Sequence, residues 1–310
     1  MPCFHPIQAY YHPTEKTVKG SKVLIFSPRD AAALCPLKLP CGRCVGCRLE
    51  RSRQWAVRCM HESQMHETNC FITLTFADEH LPELNSLDHT YWQKFMKRLK
   101  RKVSRKYGHE KAKCIRFYMC GEYGEEFGRP HFHACLFGFN FPDLVLWKTV
   151  RGNKLYRSEF LESCWKYGFS TVGNLTFESA AYVARYVMKK RTGASASDHY
   201  EVLDPYGEYH QRLPEYNRMS LKPGIGADWL NKYTSDVYPS DFVVMKEKKM
   251  KPPKYYDKLY EVSYPSDLED IKHKRYLAAK TRYEDNTPAR LRDREIVQLA
   301  KLGKLKREIK

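Results

Sequence analysis

Gly128-Arg129-Pro130-His131-Phe132-His133-Ala134-Cys135-Leu136-Phe137-Gly138 sets two histidines around one bulky apolar residue at the start of an apolar run. In a strand, successive side chains point to opposite faces. His131 and His133 then share a face with Cys135 and Phe137, while Phe132, Ala134 and Leu136 point into a core. Two imidazoles side by side on a rigid strand form a chelate for a divalent metal. Upstream, Ile115, Phe117 and Met119 alternate with Arg116, Tyr118, Cys120 and Glu122, which reads as a second strand. The glycine-bearing loop 123–130 makes the two strands a hairpin, and Glu122 falls across from the histidines on the polar face. A hard divalent ion takes a carboxylate as a further ligand, so Glu122 completes the candidate set, with Glu125 in the loop as the fallback. The competing reading is a pair of hydrogen-bonded histidines without metal.

Residues 178–190 read as a helix. At about 100° per residue, Ala180, Val183, Ala184, Val187 and Met188 cluster on one side. Tyr182, Tyr186 and Lys189 cluster on the other, so the packing stripe is supplied without them. A tyrosine phenol beside a metal-bound phosphate is a nucleophile for phosphodiester transesterification. Lys189 is suited to stabilise a phenolate or to hold a phosphate. Two tyrosines allow two sequential transfers on one protein. Ordinary aromatic packing against the sheet is the alternative for this pair.

Phe71-Ile72-Thr73-Leu74-Thr75-Phe76 alternates and reads as a strand, and Phe169–Phe177 as another. Helices are expected at 47–66, 89–106 and 155–166. The 89–106 helix carries an apolar stripe of Trp92, Phe95, Met96, Leu99 and Val103. Its other side is basic, and Lys97, Arg98 and Arg101, with Arg185 and Lys190 on the tyrosine helix, are the candidate DNA contacts. A solvated helix face explains the same charges equally well. The pattern as a whole predicts an α+β fold: a central antiparallel sheet with helices on one face and the polar strand faces open as a working surface. Residues 1–66 form an N-terminal segment, 67–192 the core, 193–244 an irregular extension and 245–310 a basic tail, partly helical or disordered.

The chain has 310 residues and a formal charge of +18, from 54 Lys and Arg against 36 Asp and Glu. That excess favours a polyanionic partner, most simply nucleic acid. No apolar run approaches membrane-spanning length, and the N-terminus lacks the layout of a signal peptide. Eleven cysteines without a secretion signal argue for a reducing compartment and mostly free thiols. Cys35, Cys41, Cys44 and Cys47 have a spacing that could hold a structural zinc ion, or part of an iron–sulfur pattern; a tight Gly/Cys turn entering a helix is the alternative.

His131-Phe132-His133 followed by apolar residues is similar to the motif of the HUH endonucleases, which initiate rolling-circle replication. The stretch Tyr182-Val183-Ala184-Arg185-Tyr186-Val187-Met188-Lys189 resembles their two-tyrosine block, and Phe71–Thr75 their first block. Together with Cys41–Arg48, Gln54-Trp55-Ala56 and Pro223-Gly224-Ile225-Gly226, these resemble the replication initiators of small single-stranded DNA phages, the gokushovirus branch of the microviruses. The resemblance covers roughly residues 35–230. It implies a ferredoxin- or RRM-like core, Mg2+ or Mn2+ held by His131 and His133, and Tyr182 and Tyr186 as nucleophiles. It further implies single-stranded origin DNA as substrate, a covalent 5′-phosphotyrosine, host DNA polymerase and helicase as functional partners, and the bacterial host cytoplasm as location. Glu122 as third ligand is a geometric inference only.

Three other readings compete. The same chemistry serves tyrosine transposases and relaxases, although the second tyrosine and the lack of a helicase P-loop favour an initiator. A non-catalytic DNA-binding protein with a zinc module explains the charge and the cysteines but leaves the Tyr/Lys face unexplained. A zinc hydrolase using His131, His133 and a carboxylate would need no tyrosine.

Overall fold

A computed structural model describes residues 3–18, 22–27, 36–124, 127–150, 152–185, 196–204 and 206–304. The strands are β1 (Ile7–Lys16), β2 (Lys22–Ile25), β3 (Leu37–Leu39), β4 (Asn69–Thr75), β5 (Arg116–Tyr123), β6 (Pro130–Phe137), β7 (Val145–Val150), β8 (Asn153–Arg157), β9 (Ser170–Gly173), β10 (Glu201–Leu203), β11 (Tyr209–Gln211), β12 (Tyr216–Met219), β13 (Val243–Met245) and β14 (Lys248–Met250). The α-helices are α1 (Val45–Ser63), α2 (His89–Tyr107), α3 (His109–Lys113), α4 (Glu159–Cys164), α5 (Phe177–Arg185), α6 (Ala196–Tyr200), α7 (Ala227–Lys232), α8 (Thr234–Val237), α9 (Lys254–Ser263), α10 (Pro265–Lys280) and α11 (Pro288–Gly303). No helix among the described residues is long and apolar enough to cross a membrane.

The contacts divide the chain into two units, a smaller one built from the first 50 residues and the stretch from Lys274, and a larger one spanning Arg51–His273. In the smaller unit β1 pairs antiparallel with both β2 and β3. Thr287 caps α11, its side chain accepting from the Arg290 N–H, with Pro288 in the first turn. Leu291 of α11 packs with Phe4 and Cys44 in a small core.

The larger unit is organised by a seven-stranded sheet of order β12-β5-β6-β4-β9-β8-β7, every neighbouring pair antiparallel. Strand alternation sorts its side chains between two layers. Ile72, Leu74, Met119, Phe132, Ala134 and Leu136 bury against Trp92, Phe95, Met96, Leu99 and Val103 of α2. Each fully buried side chain of that stripe contributes about 1.5–3 kcal/mol before the entropy of ordering it is set against the gain. Phe71, Tyr118, Cys120, Cys135 and Phe137 face the other way, against Ala56 and Cys59 of α1 and Ala180, Val183 and Ala184 of α5.

The antiparallel sheet agrees with the sequence reading; the single helical face does not. Helices cover both faces. The reason lies in the residues of the second face, where Cys120 and Cys135 pack as small apolar side chains and Trp55 stacks on Tyr118 at 4.6 Å between ring centroids. The small residues of α1 and α5 let both helices settle there.

Three further elements differ from the sequence reading. Residues 155–157 belong to β8, and the helix expected at 155–166 shortens to Glu159–Cys164, where Ser158 caps it and Asp143 holds both Ser158 Oγ and the Phe160 N–H. Within the supposedly irregular 193–244, Tyr216–Met219 forms the edge strand β12 beside β5. Beyond residue 245, Tyr256 and Tyr260 of α9 and Leu268 and Ile271 of α10 join Val57, Trp229 and Leu230 in a core of their own.

Candidate active site

The register of the central hairpin sets the site. Glu122 pairs with His131 and Cys120 with His133, while on the other side of β6 Thr73 pairs with His133 and Thr75 with His131. Glu122, His131 and His133 each offer a ligand atom, and these atoms lie within 4.8 Å of one another. His131 Nε2 is 2.6 Å, and His133 Nε2 3.0 Å, from the same carboxylate oxygen, Glu122 Oε1. Glu122 and His133 are buried and His131 half-buried. Gly121, facing Phe132 across the hairpin, keeps the approach tight: a Cβ there would lie 3.1 Å from Leu87 and 3.2 Å from Phe132 and Tyr216.

The outer nitrogens orient the rings. His131 Nδ1 lies 3.1 Å from Arg129 O, which can only accept, so this nitrogen carries a proton. His133 Nδ1 lies 2.9 Å from Thr73 Oγ1. Each Nε2 is thereby aimed at the carboxylate, the arrangement in which a metal-binding histidine donates its other N–H to the protein. Both nitrogens of His131 face oxygens, and Nε2 and Glu122 Oε1 together present a donor set that a bound cation would satisfy. Two imidazoles and one carboxylate fit a divalent ion of the Mn2+ or Mg2+ kind by donor chemistry. Burial pushes the Glu122 carboxyl up, but the bonds and charges of His131 and His133 outweigh it and hold it below the ordinary carboxylate value. Thr73 was not singled out by the sequence reading; only cross-strand pairing reveals it.

Tyr182 joins the site from α5. Its ring stands edge-on to His133 at 5.1 Å between centroids and edge-on to Phe71 at 6.4 Å. The helix starts with a reciprocal cap, in which Ser179 Oγ accepts from the Thr176 N–H and Thr176 Oγ1 from the Ser179 N–H. Two side chains clasp its backbone: Ser52 Oγ donates to Ala181 O at 3.1 Å, and Asn217 Nδ2 to Val183 O at 3.1 Å. Ala180, Val183 and Ala184 are buried and Tyr182 half-buried, and Tyr182 packs against the same sheet-facing cluster as they do, so the helix does not hold the tyrosine on the side opposite its apolar stripe as the sequence reading expected. Tyr186, Lys189 and Lys190 lie outside the described residues, as do Glu125 and Cys35.

Lys97 and Arg101 are exposed on α2, which covers the sheet face opposite the histidines. Arg98 is half-buried, donating to Cys164 O and Tyr167 Oη. Arg185 is half-buried at the last residue of α5. Cys41, Cys44 and Cys47 do gather, but the fourth thiol among the described residues is Cys3.

The Pro223–Gly226 segment is tied to the base of β5. Glu62, in the last turn of α1, accepts the Gly226 N–H at 2.7 Å and pairs with Arg116 Nε at 2.6 Å, while Arg116 donates to Pro223 O at 2.6 Å. Gly226 sits at φ +79°, and a Cβ there would lie 2.6 Å from Tyr256 Oη. Arg58 donates to Ile225 O at 2.9 Å and lies between the rings of Trp55 and Tyr255.

Residues 69–191 match the family described as Replication-associated protein ORF2/G2P. The chain is 34% identical over 267 residues to Replication-associated protein VP4 of Bdellovibrio phage phiMH2K, covering 86% of this chain and 79% of that protein. It is 34% identical over 304 residues to Replication-associated protein ORF2 of Spiroplasma virus 4, covering 90% of this chain and 87% of that protein. The chain belongs to this family of phage replication-associated proteins. A third member, Replication-associated protein ORF4 of Chlamydia phage 1, is 38% identical over 157 residues, 49% of this chain and 38% of that protein. The family match spans β4, β6 and α5, the three elements that carry Thr73, both histidines and Tyr182. No solved structure matches the chain.

Proposed function

We propose that this phage replication protein nicks and rejoins single-stranded DNA at a replication origin through a covalent tyrosine intermediate. The observation that supports this reading is the convergence of Glu122, His131, His133 and Tyr182 on one face of the sheet. Tyr182 Oη loses its phenol proton and attacks the scissile phosphorus, the P–O3′ bond breaks, and the leaving 3′ oxygen takes up a proton, so that no net proton is gained or lost. The phosphate stays on the 5′ end as phosphotyrosine, and the free 3′-OH primes a host polymerase. The reverse attack by a 3′-OH rejoins the strand, so bond energy is conserved.

His131, His133 and Glu122 would hold the metal, Mg2+ or Mn2+. When bound, it supplies Lewis-acid polarisation of the scissile phosphate and neutralises charge developing there. Thr73 and Arg129 O keep the two imidazoles aimed. Ser52 and Asn217 fix the turn of α5 that presents Tyr182, so that the nucleophile is positioned before DNA arrives. Tyr186 serves as the second nucleophile and Lys189 stabilises a phenolate. The net charge of +18 supports a DNA partner. A host helicase opens the duplex, and the work takes place in the bacterial cytoplasm.

The test incubates the full chain with labelled single-stranded DNA from its own genome's candidate origins, with Mn2+ or with chelator, followed by a denaturing protein gel. A metal-dependent labelled adduct is expected, lost in Tyr182→Phe/Tyr186→Phe and in His131→Ala. Cleavage without an adduct that survives loss of both tyrosines would instead mark a water-using metallonuclease. Binding alone, with neither cleavage nor adduct on any fragment, would refute the enzymatic reading.

A further inference from the structure

The smaller unit contains a second cluster with metal-binding chemistry. Cys3, Cys41, Cys44 and Cys47 bring four sulfurs within 4.8 Å of one another, all buried or half-buried. Cys3 Sγ and Cys44 Sγ are 3.9 Å apart. A tetrahedron with metal–sulfur bonds of about 2.3 Å has an edge of roughly 3.8 Å, the spacing of a four-thiolate zinc site. A disulfide needs sulfurs about 2.0 Å apart, and all four cysteines are free thiols.

The backbone is wound to suit thiolates. The Cys41 N–H donates to Cys3 Sγ at 3.1 Å, the Cys44 N–H to Cys41 Sγ at 3.3 Å and the Phe4 N–H to Cys44 Sγ at 3.4 Å. Amides turned onto sulfur stabilise negative charge there. Gly42 at φ +74° makes the turn between Cys41 and Cys44. Cys47 lies in the first turn of α1. Around this cluster the apolar core consists of Phe4, Cys44 and Leu291, with Val45 against them. A core that small is commonly supplemented by a disulfide or a metal.

We propose that Cys3, Cys41, Cys44 and Cys47 bind one Zn2+ as a structural four-thiolate site that ties the N-terminus to the start of α1. The ion replaces the thiol protons, which are released on binding, and no electron is transferred. Cys3 takes the position that sequence spacing alone offered to Cys35. The site is independent of the histidine centre and of the nicking chemistry.

The experiment measures metal content of the purified full chain in a Glu122→Ala/His131→Ala/His133→Ala/His210→Ala background, which disables both other clusters among the described residues that could hold an ion, Glu122/His131/His133 and Asp204/Glu208/His210. One zinc per chain is expected, released stoichiometrically by a mercurial thiol reagent. Cys3→Ser and Cys47→Ser should lose the zinc, and Cys35→Ser should keep it. Because a serine variant could fail to fold, Co2+ is also titrated into the metal-stripped chain with Cys3 intact. One equivalent should develop the intense visible bands of tetrahedral cobalt–thiolate coordination. Absence of zinc together with absence of those bands overturns the site. Iron in place of zinc overturns the assignment of the metal. Retention of zinc in a folded Cys3→Ser chain, with loss in Cys35→Ser, overturns the ligand set.

Discussion

Replacing Arg116 by methionine keeps the length of the side chain but removes the cation paired with Glu62. Glu62 is 2% exposed, and three groups hold its carboxylate: Arg116 Nε at 2.6 Å, the Gly226 N–H at 2.7 Å and His66 Nε2 at 3.2 Å. Burial pushes that carboxyl up, and the His66 and Gly226 bonds and the Arg116 charge together bring it below the ordinary value. Losing one partner of a buried ion pair costs about 3–5 kcal/mol, because the other charge remains buried. The lost bond to Pro223 O falls within that figure rather than beyond it. Urea unfolding followed by tryptophan fluorescence should show Arg116→Met less stable by about that amount at pH 7.

The variant also carries a pH signature. Without the arginine, the Glu62 carboxyl should rise, because one of the groups that lower it is gone. The variant then loses less stability than wild type when that carboxyl is protonated. The deficit relative to wild type should therefore shrink as pH falls through the raised value. A double-mutant cycle with Glu62→Gln should give a coupling of about 1–3 kcal/mol. A deficit below about 1 kcal/mol, or strict additivity with Glu62→Gln, would refute the ion pair as the clamp between β5 and the 223–226 turn.

Three further outcomes are expected. His61 stacks on Trp229 with Nδ1 2.8 Å from Tyr256 Oη, and burial lowers its pKa to about 3, so between pH 6.5 and 3 the unfolded chain binds a proton that the folded chain refuses. Acid should then cost up to about 3 kcal/mol by pH 4, and His61→Gln should flatten the stability–pH slope in that window; an unchanged slope would disprove it. Thr73→Val removes the partner of His133 Nδ1 while leaving the fold intact, and Mn2+ affinity by calorimetry should weaken about 10–100-fold, with unchanged affinity counting against a positioning role. Gly226→Ala forces a methyl to within 2.6 Å of Tyr256 Oη at a left-handed φ, and should destabilise by about 2–4 kcal/mol in urea melts, whereas Gly207→Ala, with the same sign of φ and open space around it, should cost less.

The pairing of Glu122 with the histidines could be read from sequence because alternation fixes both strand faces and a short hairpin fixes which residues meet. The place of Tyr182 on α5 was not legible, because helical periodicity alone set it opposite the apolar stripe, whereas its ring leans onto the same sheet face, against Phe71 and His133. Thr73 was not, because its role depends on β4 lying beside β6, a neighbour that no local pattern announces. Cys3 was not, because its partners begin 38 residues later and chain distance says nothing about spatial distance. The second helical layer was hidden by reading Cys120 and Cys135 as polar, although buried thiols pack as small apolar groups. The β7–β8 hairpin escaped because Val145, Leu146 and Trp147 are all exposed, so no amphipathic signal marks it.

The smaller unit takes its two halves from opposite ends of the chain. Phe4 and Cys44 leave the ribosome early, but Leu291, which packs against them, leaves near the end. At roughly 5–20 residues per second, the interval is on the order of tens of seconds. Throughout that time the N-terminal apolar side chains wait without their cover. A message broken before the α11 codons would therefore yield a chain whose first unit is never completed. In effect, this packing makes the finished small unit a receipt showing that synthesis has passed α11.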